Sequence, residues 1–136
     1  MNTTHPSISA IEVVVGCAPV THEDAARFDK RWFLVDESNT FDPAVSGQAL
    51  ASIELSISQG NLVLRAPGML RLDIPMDVIE DDDSVWRDAT VGEQTVKVVD
   101  EGDLAAVWFG NVLGRACRLV KVHPDEQIPV FGSGQT

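Results

Sequence analysis

Residues 100–122 read DEGDLAAVWFGNVLGRACRLVKV, and their apolar side chains run almost the whole way round a helix. Asp103 is placed to cap that helix ahead of Leu104, its carboxylate accepting from amide N–H groups left over in the first turn. Gly114 offers the left-handed residue that ends it after Leu113. The spacing predicts a helix over 103–113, about three turns long. At 100° per residue Leu104, Trp108 and Val112 share one stripe, Ala105 and Phe109 lie beside it, and the small residues Ala106 and Gly110 fall on the far side. A helix with so little polar face has to be covered on more than one side, so its second face either closes a barrel or receives something else. A final strand over 117–122 follows directly.

The rest of the chain reads as strands. Residues 8–15 are nearly continuous in β-branched side chains, the pattern of a first strand buried on both faces, and Gly16 and Pro19 end it. Residues 21–29 suit either a short helix capped by Thr21 or a loop. RWFLVD at 31–36 is a second strand, and a turn at 37–39 sends the chain back through Thr40 and Phe41 to a connection at Pro43, Ser46 and Gly47. Alternation is clearest over 50–58, where Ile53, Leu55 and Ile57 point one way and Ser52, Glu54, Ser56 and Ser58 the other. Gln59-Gly60-Asn61 then turns the hairpin, and Leu62 and Leu64 continue the inward set. After Pro67-Gly68, Leu70, Leu72 and Ile74 alternate with Arg71 and Asp73 until Pro75 stops the strand. The carboxylates at 80–83 lack the alternating ligands and glycine of a calcium loop and read as a solvated acidic turn. Strands at 85–87 and 94–99 flank a loop at Val91-Gly92.

The tally predicts a mainly β chain, an antiparallel β-barrel of about eight strands with one α-helix at 103–113. Residues 1–7 read as a disordered N-terminus, 8–123 as the barrel domain and 124–136 as a flexible tail.

Charge narrows the function. Ten basic residues against 21 acidic ones leave a net charge of −11, which repels phosphate backbones and anionic lipid heads and argues against nucleic-acid or membrane partners. The apolar run at 11–15, interrupted by Glu12, is too short to span a bilayer, and the chain reads as cytoplasmic. Cys17 and Cys117 are too few for a disulfide scaffold and read as buried thiols. His5, His22 and His123 have no metal-ligand spacing, so no metal site is expected. Nor is catalysis by this chain alone expected: it offers no Ser-His-Asp set, no phosphate-cradling glycine loop and no paired carboxylate in an apolar setting. Asp100 and Asp103 sit at a helix start, where capping and dipole compensation account for them.

One set of spacings is specific. Val85-Trp86-Arg87-Asp88, then Asp100-Glu101-Gly102-Asp103 leading into Ala105-Ala106-Val107-Trp108, then Leu113-Gly114-Arg115 and Arg118-Leu119-Val120, resembles the N-terminal β-barrel domain that precedes the MOSC domain. Upstream, residues 29–36 (DKRWFLVD) are similar to that family's Asp-Arg-Arg-Trp-type strand. The resemblance covers about 8–122, and it is strongest in the C-terminal half. Members include the mitochondrial amidoxime-reducing component, bacterial relatives that reduce N-hydroxylated compounds, and the C-terminal region of molybdenum cofactor sulfurases. It implies a barrel that helps hold a molybdopterin cofactor while the following MOSC domain supplies the cysteine on molybdenum. The present sequence shows no such second domain, so it is either a piece of a longer protein or a free-standing first domain.

Departures from the family bear on cofactor binding. Where the family has Tyr-Pro-Val-Lys-Ser this chain reads Val14-Val15-Gly16-Cys17-Ala18, and where it commonly has Thr-Gln-Arg the chain has Thr40-Phe41-Asp42. Arg31 is the one cofactor-binding residue the resemblance carries over. Its guanidinium offers bidentate donors to a phosphate or pterin group, or it ends a strand and pairs with Asp29 or another surface carboxylate. Losing two charge-assisted contacts of ~1.5–3 kcal/mol each weakens anion binding by about two orders of magnitude or more. The chain by itself is therefore expected to hold no cofactor, the molybdenum cofactor entering only through the family, with a MOSC-domain protein as partner. Two functions follow: a non-catalytic β-barrel binding module working with such a protein in molybdenum-cofactor-linked chemistry, or the N-terminal fragment of a molybdenum-cofactor oxidoreductase that reduces N-hydroxylated compounds.

Overall fold

A computed structural model describes residues 10–41, 48–76, 86–123 and 126–129. Two-residue strands β1 (Ala10–Ile11) and β2 (Val20–Thr21) pair with each other and are followed by a 3₁₀ turn at Ala25–Phe28. Then come β3 (Trp32–Val35), the single turn α1 (Gln48–Ala51), β4 (Glu54–Ser58), β5 (Asn61–Arg65), β6 (Leu72–Pro75), β7 (Trp86–Val91), β8 (Gln94–Asp100), α2 (Asp103–Leu113) and β9 (Arg118–Val122). Every ladder is antiparallel. The strands form a four-stranded sheet in the order β3-β9-β8-β7, a three-stranded sheet β4-β5-β6 and the β1-β2 pair.

The chain is thus mainly β with one long helix, but among the described residues the ladders make three sheets and no closed barrel. Among the described residues the edges of the four-stranded sheet are joined at one end, by isolated bridges. Asn39, in the left-handed region at φ 60°, turns the chain so that Thr40 accepts from the Asp36 N–H at 2.9 Å, while the Phe41 N–H reaches Thr90 at 2.8 Å. Single bridges, rather than a ladder, link β3 to β7 through this segment.

Burial explains why β3 has no polar face. Phe33 and Val35 enter one cluster with Phe41, Val96, Val98, Val120 and Val122; Trp32 and Leu34 enter the other with Leu62, Leu64, Ala105, Trp108 and Phe109. A strand covered on both sides reads as a continuous apolar run. The hairpin is as its alternation predicts: Glu54, Ser56 and Ser58 are exposed while Leu62 and Leu64 are fully buried. Gln59 (φ 53°) and Gly60 (φ 80°) supply the two left-handed residues between the paired Ser58 and Asn61.

Several boundaries differ from expectation. Among the described residues the first strand is Ala10–Ile11 and does not run on to residue 15, because Glu12 folds back on the chain: its carboxylate accepts from the Gly16 N–H at 2.9 Å and its carbonyl from the Lys30 N–H at 2.8 Å. The segment 21–29 resolves into the 3₁₀ turn, with Asp24 rather than Thr21 ahead of it. Leu50 and Ala51 belong to α1, not to β4. Leu70 is 87% exposed, since the turn after Pro67-Gly68 runs on to residue 71 and the inward set begins only at Leu72. The N-cap of α2 is Gly102, not Asp103; Gly102 has φ 107°, and its N–H is taken by the Asp100 carboxylate at 2.7 Å. Gly114 ends the helix in the left-handed region as expected.

The buried stripe of α2 is Ala105, Trp108 and Phe109, with Val112 partly buried; Leu104 is 74% exposed. Within the stretch expected to fray, the Glu126 carboxylate accepts from the Lys97 N–H at 3.2 Å and Ile128 packs on the Phe33 cluster. The acidic run at 80–83, Val85, the connection at 43, 46 and 47, and residues 1–9 lie outside the described residues. No helix among the described residues is long and apolar enough to cross a membrane.

Candidate functional site

The β3–β9 register sets Trp32 opposite Lys121 and brings Arg31 beside the end of β9. There the Arg31 guanidinium donates to the carbonyls of Val122 at 3.4 Å and His123 at 3.2 Å. Asp29 pairs with Lys30 at 3.3 Å instead, and among the described residues no carboxylate forms an ion pair with Arg31. Burial lowers the pKa of Arg31. The neighbouring cation, Lys121, is buried: its ammonium donates to the Met76 carbonyl and stands 5.7 and 5.2 Å from the ring centres of Phe28 and Trp32. Lys121 went unnoticed in the sequence, where the one visible signal is a lysine between the valines of the final strand.

Val13, Val14, Val15 and Cys17 are buried in the core, so the segment corresponding to the family's Lys-Ser pair is a packing surface. Arg31 spends donors on backbone carbonyls, Lys121 is enclosed by rings, and residues 14–18 carry no cation.

A second cluster sits where β8 passes into α2. Arg118, first in β9, donates to both oxygens of Asp100 and to Asp103 at 2.7 Å, while Arg87 lies 3.4 Å from Asp100. Burial alone would raise the Asp100 pKa; hydrogen bonds from Arg118 and the Gly102 N–H and the charges of Arg118 and Arg87 outweigh it, and the carboxyl ends below its usual range. Arg118 is raised in turn, through its hydrogen bonds to Asp100 and Asp103. These charges satisfy one another and tie α2 to β7 and β9. A carboxyl depressed in the folded state stabilises fully above its unfolded value and ceases to do so as pH falls through the folded one. Asp100→Asn should therefore cost about 1–2 kcal/mol at neutral pH, discounted for the part-exposed Arg118. In urea titrations across pH, the gap between variant and parent should stay constant above about pH 5 and close below about pH 4. A gap that persists in acid would remove the carboxylate from this account.

The thiols are inert in place. Burial, reinforced by the Glu12 carboxylate, pushes Cys17 up to about 12, and burial also raises Cys117. His22 accepts from the Asp24 N–H through Nδ1 at 3.0 Å, and the buried His123 packs edge-on against Trp86 with ring centres 4.3 Å apart. Among the described residues no three His, Cys, Asp or Glu side chains gather as a metal site.

Among the described residues the outer face of α2 is an open surface. A groove of about 490 Å³ runs along Ala106, Val107 and Gly110, with Arg115 and Glu37 on its rim and Cys117 in its wall. Beside it Val107 is 60% and Leu104 74% exposed, and Leu70, whose carbonyl accepts the Trp108 indole N–H at 2.6 Å, adds a third exposed apolar side chain. The far side of the helix, which its apolar composition said must be covered, is thus the candidate site.

Comparison with known proteins places this fold. Over 101 residues the chain is 25% identical to the molybdenum cofactor sulfurase of Danio rerio, an alignment that takes in 72% of this chain but only 12% of the sulfurase. It is similar, with a TM-score of 0.74 and 48% identity over 88% of this chain and 92% of the other, to the solution structure of a protein coded by a Bordetella bronchiseptica gene locus. The model of the MOSC N-terminal beta barrel domain matches residues 4–116, a span that takes in β1 to α2, and the chain belongs to that family.

Proposed function

We propose that this chain is a non-catalytic binding module that acts with a MOSC-domain protein in molybdenum-cofactor-linked chemistry. The observation that carries the reading is the pairing of an uncovered apolar face on α2 with a would-be cofactor region whose cations are already engaged. In this reading the chain holds no cofactor of its own, and Arg31 serves the β3–β9 junction. The four-stranded sheet is a small barrel whose wall is completed at Thr40 and Phe41, supported by their bridges to β7 and β3. The excess of carboxylates favours a protein partner over nucleic acid or membrane, and two free buried thiols suit a reducing cytoplasm.

Mixing the purified chain with MOSC-domain proteins of the same organism and reading mass by light scattering tests this. A stoichiometric complex is expected. A chain that stays at its own mass with every such protein rejects the reading. The second reading is the front part of a molybdenum-cofactor oxidoreductase for N-hydroxylated compounds; the sulfurase match, which touches only 12% of a far longer protein, supports the occurrence of such a domain within a longer chain. Joined in one chain to a MOSC domain and supplied with cofactor, it would reduce an amidoxime. The module reading expects no such turnover to depend on covalent linkage.

A further inference from the structure

β8 is longer than the strand beside it. Its ladder with β9 ends at Val98, opposite Val122, although β8 begins at Gln94. Hydrogen bonds on either side fix where the backbone of this overhang points. Thr90, the partner of Thr95 across the β7 ladder, gives its N–H to the Asn39 carbonyl and accepts at its own carbonyl from Phe41, so it exchanges no bond with Thr95. The Lys97 carbonyl accepts from the His123 N–H at 3.0 Å, on the β9 side. Thr95 and Lys97 therefore both turn their N–H and carbonyl groups toward the side that β9 has left.

Residues 126–129 stand along that side without forming a ladder. The Glu126 carboxylate, rather than a backbone carbonyl, accepts the Lys97 N–H at 3.2 Å. A side chain in that role spaces the segment away from β8, and a groove of about 390 Å³ remains, lined by Gln94, Thr95, Val96 and residues 126–129. Among the described residues no hydrogen bond reaches the N–H or carbonyl of Thr95. Further on, Ile128 packs on the Phe33 cluster and Pro129 is buried. At the other end the Glu126 N–H returns to the His123 carbonyl at 2.9 Å, which also accepts from Arg31, and the His123 ring lies against Trp86.

We infer that residues 126–129 are a latch on the β8 edge that opens ahead of the sheet and leaves His123 in place. Among the described residues the latch is held to β8 by a solvent-exposed hydrogen bond and to the core by Ile128 and Pro129. A segment held that lightly opens well below the cost of global unfolding. His123 stays because Lys97 and Arg31 both hold its backbone. An open latch adds the Lys97 N–H to the free groups of Thr95 and makes a bare strand edge, which a closed latch covers. The latch thus sets how often this edge is bare, whether or not a MOSC-domain protein is the partner.

Native-state hydrogen exchange on the full ¹⁵N-labelled chain, followed by NMR across low urea concentrations, tests the latch. The Lys97 amide should be protected, yet exchange at least about tenfold faster than the Val122 amide, which donates to the Arg31 carbonyl, and with little dependence on urea. The Thr95 amide should exchange at the rate of an unfolded chain. Glu126→Ala and, separately, Ile128→Ser should speed Lys97 by about fivefold or more and leave His123 and Val122 as in the parent. Gln127→Ala, at an exposed position, should change nothing. One rate and one urea dependence for Lys97 and Val122 would show that the segment opens only with the whole sheet, and would overturn the inference. So would a protected Thr95, an unprotected Lys97 in the parent, or a Lys97 rate that neither Glu126→Ala nor Ile128→Ser changes. A His123 amide that accelerates together with Lys97 also overturns it, since opening then runs on into β9.

Discussion

Trp108→Ala should lower the unfolding free energy by about 3–5 kcal/mol, the usual cost of emptying a large aromatic from a closed core. The indole is 6% exposed, meets Phe109 edge-on with ring centres 5.1 Å apart, and donates its N–H to the Leu70 carbonyl at 2.6 Å. It therefore joins three elements at one point: α2, the loop ahead of β6, and the core between them. The Leu70 carbonyl lies beside a highly exposed side chain and can turn to water, so most of the loss comes from the cavity. Trp108→Phe separates the two contributions. It keeps much of the apolar volume and should cost about 1–2 kcal/mol, part of it the lost hydrogen bond. Urea unfolding followed by circular dichroism reads both. An alanine variant within 1 kcal/mol of the parent would mean that the centre of this domain lies elsewhere.

How far the sequence foretold these contacts depends on how local they are. The β4–β5 hairpin was legible in outline, because period-two alternation and a turn at Gln59-Gly60-Asn61 are encoded within a dozen neighbouring positions, though Asn61 proves to be the first residue of β5. The span of α2 was legible too, but its rotation was not: a helix that is apolar nearly all round carries no moment to say which stripe faces in. Leu104 shares a stripe with Trp108 in the sequence reading and is exposed, while Ala105, Trp108 and Phe109 are the inner residues. Asp103 looked like the cap because aspartate favours that position; Gly102 occupies it, since the Asp100 side chain already takes the Gly102 N–H.

For Arg31 the structure adds contacts to two carbonyls 91 and 92 positions away, which the sequence does not foretell. The Asp100–Arg118 pair, the Lys121–Met76 bond and the Thr40–Thr90 bridge also join residues well separated in the chain. No local pattern encodes them. The family's motif residues, by contrast, were readable as a set because their order survives whatever each side chain touches.

Trp32→Ala should be as damaging as the loss of Trp108, about 3–5 kcal/mol, and for a reason that bears on how α2 is placed. Trp32 is fully buried, stacks on Phe28 at 5.6 Å, lies under the Lys121 ammonium and donates its indole N–H to the Glu101 carboxylate at 2.6 Å. Glu101 also donates its own N–H to the Leu119 carbonyl at 3.0 Å, and Gly102, the cap of α2, follows it directly. Trp32 thus fixes the entry to the helix from the neighbouring sheet, as Trp108 fixes its middle. A hydrogen bond to a charged acceptor contributes about 1.5–3 kcal/mol when shielded, and about 1 kcal/mol is the reasonable share for the half-buried Glu101. The measurement is a double-mutant cycle with Trp32→Phe and Glu101→Gln, in which the two losses should fall short of additive by about that amount. Strict additivity would show that the indole N–H and the carboxylate do not act together, and that the start of α2 is held by the Asp100–Arg118 pair alone.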